Sequence, residues 1–374
     1  MKLLIAGDFC PQGRIVTLFD KDDYKLVLGD VKYIIEQADY SVVNFECPVT
    51  KGGEKPIEKC GPNLQCSEKG MEAVKWAGFD CVTLANNHFL DYGKDGVENT
   101  LEACKKYGID TVGGGKNLHE ASKILYKEVD GKTLALINCC EHEFSIATED
   151  TAGSNPLNPI QQYYAIKEAK EKTDYVLVIV HGGHELWQLP SPRMVETYRF
   201  FVDAGADAVV NHHQHCYSGY EVYNGKPIFY GLGNFCFDKQ NYFEGLWEYG
   251  YMVSLSFNND VTFDIIPYEQ CKDETNVKPL VNRSSFEKRV NELNEIISDR
   301  NRLIEKTTEY YMKSIKSIHF AFEPYNGKLW KKLYSMGLLP NWIKKTKIKK
   351  LRNMILCESH RDKTMYYLKK ESDD

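Results

Sequence analysis

The feature that most constrains this chain is a rhythm. Over its first 270 residues, short apolar runs alternate with helix-length stretches, and many of the runs end in residues that can ligate a metal. The runs are Lys2–Phe9, Tyr40–Glu46, Asp80–Ala85, Ile109–Val112, Thr133–Cys139, Tyr175–Val180, Ala208–Val210 and Ile228–Tyr230. Several are rich in Val and Ile and polar only at their ends, as strands covered on both faces must be. Between them the pattern predicts helices at Val31–Gln37, Glu68–Ala77, Gly93–Tyr107, Gln161–Lys172 and Pro192–Ala204. This alternation specifies an α/β fold. Tyr251–Phe257 and Val261–Tyr268 flank Asn258-Asn259-Asp260, which reads as a hairpin closing the sheet with antiparallel strands.

After Cys271 the pattern changes. Residues 271–374 carry 23 Lys and Arg against 14 Asp and Glu, whereas the first 270 hold 24 against 39. An acidic body, residues 1–270, therefore precedes a basic helical region, residues 271–374. Ser285–Met312 is expected to form one long amphipathic helix. Trp330-Lys331-Lys332-Leu333-Tyr334 and the lysine-rich stretch from Trp342 to Leu351 admit two readings. One is a solvated helix face packed on the body; the other is a peripheral contact with an anionic membrane surface. No apolar run approaches 20 residues, and the N-terminal apolar stretch stops at Gly7-Asp8, too short for a signal. The expected location is cytoplasmic, at the inner membrane face if the tail makes that contact. The twelve cysteines contain no C-x-x-C pair and read as reduced, mostly buried residues. An acidic body without a recognition motif argues against nucleic-acid binding. Gly113-Gly114-Gly115 lacks the rest of a phosphate loop and is expected to be a tight turn.

The chemistry lies at the strand ends. The first run reaches Asp8, the second Asn44-Phe45-Glu46, the third Asn86-Asn87-His88. Later runs lead into His181-Gly182-Gly183-His184-Glu185 and Asn211-His212-His213-Gln214-His215. Sites in open α/β sheets form at the carboxyl ends of strands, so these groups are expected to meet in one crevice. Oxygen and imidazole donors together suit Mn²⁺, Zn²⁺ or Fe. Five clusters exceed the needs of one tetrahedral ion and favour two divalent metals, a common device for activating water against a phosphate or amide. Each piece has a plainer reading alone, Asp8 as a turn residue or His88 as a cap. Three histidines in four positions after Ala208-Val209-Val210 have no such structural need.

These residues also carry a resemblance. Gly7-Asp8, Asn44-Phe45-Glu46-x-Pro48-x-Thr50, Asn86-Asn87-His88-x-x-Asp91-x-Gly93, His181-x-Gly183-x-Glu185, Gly205-Ala206-Asp207 with His212-His213-x-His215, and Gly231-Leu232-Gly233-Asn234-Phe235 follow one another in order. The series resembles the CapA family of capsule and poly-γ-glutamate biosynthesis proteins, related in fold to the calcineurin-like metallophosphoesterases, over about residues 2–240. The resemblance implies a two-sheet sandwich flanked by helices (αββα), with the C-terminal helices appended. It implies metal ligands at Asp8, Glu46, Asn87, His181, His213 and His215, and an acid at His88 with Asp91 as its partner. Arg14, Glu185 and His212 would contact substrate, an anionic polymer or a phosphorylated precursor. Cys10 stands where phosphoesterases have a histidine, so either a thiolate replaces the imidazole or one metal has an emptier shell. Gly182 stands where the family commonly has a tryptophan. The function implied is metal-dependent hydrolysis of a phosphoester or amide-type bond in surface-polymer biosynthesis, the rival being a non-catalytic polymer-binding or scaffold subunit.

Overall fold

The structure is a computed structural model that describes residues 1–239, 245–258, 260–322, 328–338 and 345–372. Its first sheet contains β1 (Lys2–Phe9), β2 (Tyr40–Phe45), β3 (Cys81–Thr83), β4 (Asp110–Val112), β13 (Asn234–Cys236), β14 (Tyr249–Phe257), β15 (Val261–Gln270) and β16 (Val277–Pro279). Strand order is β16-β15-β14-β1-β2-β3-β4, with β13 added alongside the end of β1. The β1 to β4 pairings are parallel, and β14 to β16 are antiparallel, so the hairpin after Phe257 is present. The second sheet contains β6 (Leu125–Val129), β7 (Lys132–Cys140), β9 (Tyr175–His181), β10 (Ala208–His212), β11 (Tyr220–Tyr223) and β12 (Lys226–Phe229). Gly114–Gly115 is not a turn. It forms the short strand β5, which pairs with β8 (Gly153–Ser154).

Alternation along the strands builds two cores. Leu3, Ile5 and Val42 face the second sheet and pack with Leu136, Val178 and Val209. Leu4, Ala6 and Val43 face the other way, against helices that include α2 (Tyr24–Ile35), α3 (Lys69–Ala77) and α4 (Gly93–Tyr107). The short helices α1 (Val16–Asp20) and α5 (Leu118–Ala121) fill connections. On the second sheet lie α6 (Pro159–Lys172) and α7 (Pro192–Ala204). The result is a helix-covered, two-sheet sandwich. Two strand edges explain where it begins and ends on the sequence. β1 matches its apolar run to the residue, while β16 pairs with β15 beyond the break expected at residue 271.

The C-terminal region is α8 (Ser284–Ser298), α9 (Arg300–Phe322), α10 (Lys328–Ser335), α11 (Lys345–Leu356) and α12 (Glu358–Ser372). The single helix expected over Ser285–Met312 is broken at Asp299, whose backbone is extended. The Asp299 carboxylate accepts from the amides of Asn301 and Arg302, so it starts a second helix where periodicity alone would continue the first. Phe286, Val290, Leu293 and Ile297 of α8 are buried in the core of the sandwich. Trp342, Ile343 and Lys344, part of the expected membrane-contact stretch, lie outside the described residues.

Candidate metal centre

A local irregularity in β1 aims the first candidate ligand. Pairing with β2 slips between Ala6 and Asp8, so an extra residue is accommodated at Gly7. The slip places Asp8 beside Asn44, where its carboxylate meets groups of the second sheet, while Phe9 returns to the outer core. Gly7 is required here: a Cβ would sit 1.9 Å from the Gly233 carbonyl oxygen. Asp8 Oδ1 accepts from Asn44 Nδ2 at 2.7 Å, and Asn44 is itself held by Thr83 Oγ1 at 3.1 Å. Asp8 Oδ2 accepts from the His213 backbone N–H at 3.3 Å.

Two ligand groups overlap at Glu46. Glu46, His181 and His213 form one; Asp8, Glu46 and His215 form the other. His181 Nε2 lies 3.4 Å from Glu46 Oε1, 3.1 Å from His213 Nδ1 and 3.1 Å from Asn87 Oδ1. His215 lies 3.6 Å from Asp8 Oδ2 through Nδ1 and 3.6 Å from Glu46 Oε1 through Nε2. His213 and His215 both hold left-handed backbones, φ 89° and 54°, a strain that persists where surrounding structure fixes it. Thus Asp8, Glu46, Asn87, His181, His213 and His215 all stand at one point where the two sheets meet.

The donor set fits a divalent cation. Glu46 is fully buried, and neither carboxylate oxygen has a hydrogen-bond partner among the described residues. Burial, then the nearby Asp8 and Cys10, pushes its carboxyl well above the usual carboxylate range. Burial and the neighbouring imidazoles push His181 well below the usual histidine range, leaving its ring neutral with a lone pair to donate. Acceptors crowded together without donors are what a cation would resolve.

His88 stands beside this group. Its Nδ1 is 2.6 Å from Asp91 Oδ2, the interaction that orients the ring. Burial lowers the His88 pKa, with Lys59 adding to the effect and Asp91 opposing it. Lys59, which no sequence signal marked, is ion-paired to Asp91 and lies 3.1 Å from His88 Nδ1. It comes from the irregular segment between β2 and α3, where neither periodicity nor motif points to it. Glu143, also unmarked, accepts from Asn87 Nδ2 at 2.8 Å and so orients the Asn87 oxygen.

The three expected substrate contacts differ in placement. Arg14 and Glu185 line a cavity of about 450 Å³ together with His88 and His215. Arg14 is also fixed to Asp238, at 2.8 Å and 2.9 Å. His212 is 1% exposed and its Nε2 meets the Ala6 carbonyl at 3.0 Å, so the ring is a brace between sheets rather than a surface for substrate. Cys10 packs in the outer core with Cys47 and Cys66, and burial pushes its thiol up. Its side chain is directed at these partners and at Gln12, not at the ligand groups.

The chain is thus an αββα sandwich with acid, amide and imidazole side chains gathered at the edge where its sheets meet. It belongs to the family described as bacterial capsule synthesis protein PGA_cap, which matches residues 2–239. It is 34% identical over 247 residues to "Capsule biosynthesis protein CapA" of Bacillus anthracis, covering 64% of this chain and 60% of that one. It is 35% identical over 242 residues to "PGA biosynthesis protein CapA" of Bacillus subtilis strain 168, covering 63% and 62%. The chain therefore spans about 60% of the length of these relatives. A solved putative 5′-nucleotidase from Staphylococcus aureus superposes with TM-score 0.45 at 14% identity, over 80% of this chain and 58% of that one. A likeness that loose bears on neither substrate nor chemistry. Among the described residues no helix is long and apolar enough to cross a membrane.

Proposed function

We propose that the protein is a metal-dependent hydrolase acting on a phosphoester or amide-type bond in capsule, poly-γ-glutamate or related surface-polymer biosynthesis. The observation that carries this reading is Glu46, buried with both oxygens unpaired between two sets of ligands. Glu46 with Asn87, His181, His213, Asp8 and His215 would hold divalent cations of the Mn²⁺, Zn²⁺ or Fe kind, two in number on this reading. When bound, such cations polarise the bond under attack and ease deprotonation of water.

The chain's own groups would do the rest. Asp91 holds His88 by its Nδ1 side, and Lys59 fixes Asp91. The opposite nitrogen, Nε2, has no protein partner among the described residues, and His88 borders both cavities at the site. As water adds to phosphorus or carbonyl carbon and the bond to the leaving group breaks, His88 in its protonated form would deliver the Nε2 proton to the departing oxygen or nitrogen and take one back from water afterwards. Its lowered pKa favours release of that proton. The test is a substrate screen with aryl phosphates and amide-linked acidic polymers, run beside metal analysis. His88→Asn is expected to keep the metal and lose about 10²- to 10⁴-fold in turnover. Equal turnover would remove His88 from the reaction, and a wild-type protein that binds no metal would overturn the hydrolase reading.

A second reading concerns location. Exposed Ile348 beside Lys345, Lys347 and Lys350 on α11 supports a peripheral contact with anionic lipid.

A further inference from the structure

Helices α11 and α12 lie beyond the residues matched to the family, yet they wall the metal centre. A cavity of about 360 Å³ has Asn87, His88 and Glu185 on one side and Asn353, His360 and Lys363 on the other. The second trio comes entirely from the C-terminal helices.

The placement of α12 is built, not incidental. Glu141, 3% exposed at the end of β7, accepts from the Ser359 backbone N–H at 3.1 Å and from its hydroxyl at 2.5 Å. Carboxylates at a helix N-terminus satisfy its unpaired N–H groups and oppose its dipole. Arg193 ties the same Glu141, at 2.6 Å, to Asp362 of α12, at 2.8 Å. Glu358 accepts from the His142 backbone at 2.8 Å and meets its ring at 2.6 Å. Gly182 leaves the room for this anchor, since a Cβ there would lie 2.6 Å from Glu141 Cγ.

One turn past Ser359, the anchored helix sends Lys363 to the cavity. Its ammonium donates to Tyr310 Oη at 2.9 Å and sits 4.6 Å from the centre of that ring. Tyr310 is held in turn by stacking on Trp187, at 4.3 Å. Of the two lysines on this cavity, Lys59 is paired to Asp91, whereas Lys363 has no carboxylate within ion-pairing distance among the described residues. Asn353 is nearly buried and gives its Nδ2 to His360 Nδ1 at 2.8 Å, which fixes the His360 ring. Glu143 and Glu185 also border the space, so a cation held there by a phenol alone is not explained by a general excess of positive charge.

We propose that Lys363, positioned with Asn353 and His360 by the anchored α12, forms a subsite for a carboxylate or phosphate group of the substrate beside the bond under attack. The C-terminal helices then set specificity for anionic substrates. The reaction at the metals rests on the hydrolase reading above; the binding of an anion at Lys363 does not.

The test uses the full-length, metal-loaded protein and calorimetric binding of three probes: inorganic phosphate, tetraglutamate and its neutral counterpart tetraglutamine. The wild-type protein is expected to prefer tetraglutamate or phosphate over tetraglutamine by at least about tenfold, the range of one charge-assisted contact. Lys363→Met should erase that preference at unchanged metal content, and Lys363→Arg should keep it. The acidic probe that loses more affinity identifies carboxylate or phosphate as the group bound. A wild-type protein without the preference, or a Lys363→Met protein that keeps it, overturns the proposal. Equal losses for acidic and neutral probes overturn it too, because loosening of α12 would act on both. Should Lys363→Met not fold, Lys363→Gln, one atom shorter but still a neutral donor, is read by the same criteria. Anion binding without turnover would leave this subsite standing and the hydrolase reading fallen; turnover indifferent to residue 363 would do the reverse.

Discussion

Replacing Glu46 by Gln separates the two states in which this carboxyl must exist. Without metal, Glu46 is fully buried, without a hydrogen-bond partner among the described residues, and pushed well above the ordinary carboxylate range, first by burial and then by Asp8, which favours the protonated acid. Gln matches the protonated acid in shape and charge, and the metal-free variant should melt within about 1 kcal/mol of metal-free wild type, since no ionised partner is lost. With metal the two must differ. A cation present at about 100 times its dissociation constant stabilises the native state by roughly 2.7 kcal/mol. At about 2.1 cal/mol/K per residue, a chain of this length unfolds with roughly 0.8 kcal/mol/K, which makes the expected rise in melting temperature about 3 °C. Glu46→Gln should lose most of that rise. The pH dependence follows the same logic. The raised pKa means that the native, metal-free protein holds a proton the unfolded chain has released, so Glu46 costs stability as pH climbs past its ordinary value of 4.5. Metal displaces that proton, and metal affinity in the wild type should therefore rise with pH until Glu46 ionises unaided; the variant should lack this component. Thermal melts of both proteins, with and without Mn²⁺ or Zn²⁺ at several pH values, read all of this. A metal-dependent rise as large in Glu46→Gln as in wild type would refute the reasoning.

Three further outcomes follow from particular contacts. Lys59→Met leaves the fully buried Asp91 without its cation, and should cost about 3–5 kcal/mol in urea unfolding; Lys59→Met with Asp91→Asn should recover most of it, and failure to recover would mean that Lys59 acts by packing alone. Gly7→Ala forces a Cβ against the Gly233 carbonyl, so melting temperature and metal content should fall together, by about 1–3 kcal/mol or more in stability; a variant with normal metal content would show that the slip in β1 does not place Asp8. Exchanging Lys345, Lys347 and Lys350 for Glu should abolish co-sedimentation with anionic vesicles, and equal sedimentation of both proteins would reject the lipid contact.

Most of the strands could be anticipated because buried parallel strands must be apolar along their length, and that constraint writes itself into the chain. β1 is legible for this reason, and so is the cluster of ligands at strand ends. What stayed hidden depends on distance along the chain. α2 begins at Tyr24, seven residues before the expected start, since Tyr24, Val27 and Leu28 face a core whose other half comes from α3 and the first sheet. The break at Asp299 is a capping choice between two helices that share one hydrophobic stripe. Lys59 belongs to a segment without period, and its role exists only once β2 and the loop before α4 bring it against Asp91 and His88. Nor could the pattern show that His212 turns to the Ala6 carbonyl while His213 and His215 turn to the ligands, because that division depends on the left-handed backbone at both of the latter.

Two glycines link the two ends of the molecule. Glycine at position 7 admits the Gly233 carbonyl and so brings Asp8 to the second sheet; glycine at position 182 admits Glu141 and so anchors α12 beside the cavity. In each case a missing side chain lets a distant segment approach the point where the sheets meet. The first approach supplies a candidate metal ligand. The second supplies Lys363, from a region that composition alone sets apart from the body. A substitution at Gly182 should thus leave the ligands of the first sheet in place and displace α12: metal content preserved, with the preference for acidic probes lost. Gly182→Ala, assayed by elemental analysis and by tetraglutamate binding, tests that separation, and loss of metal together with the preference would show that the two approaches are one structural unit.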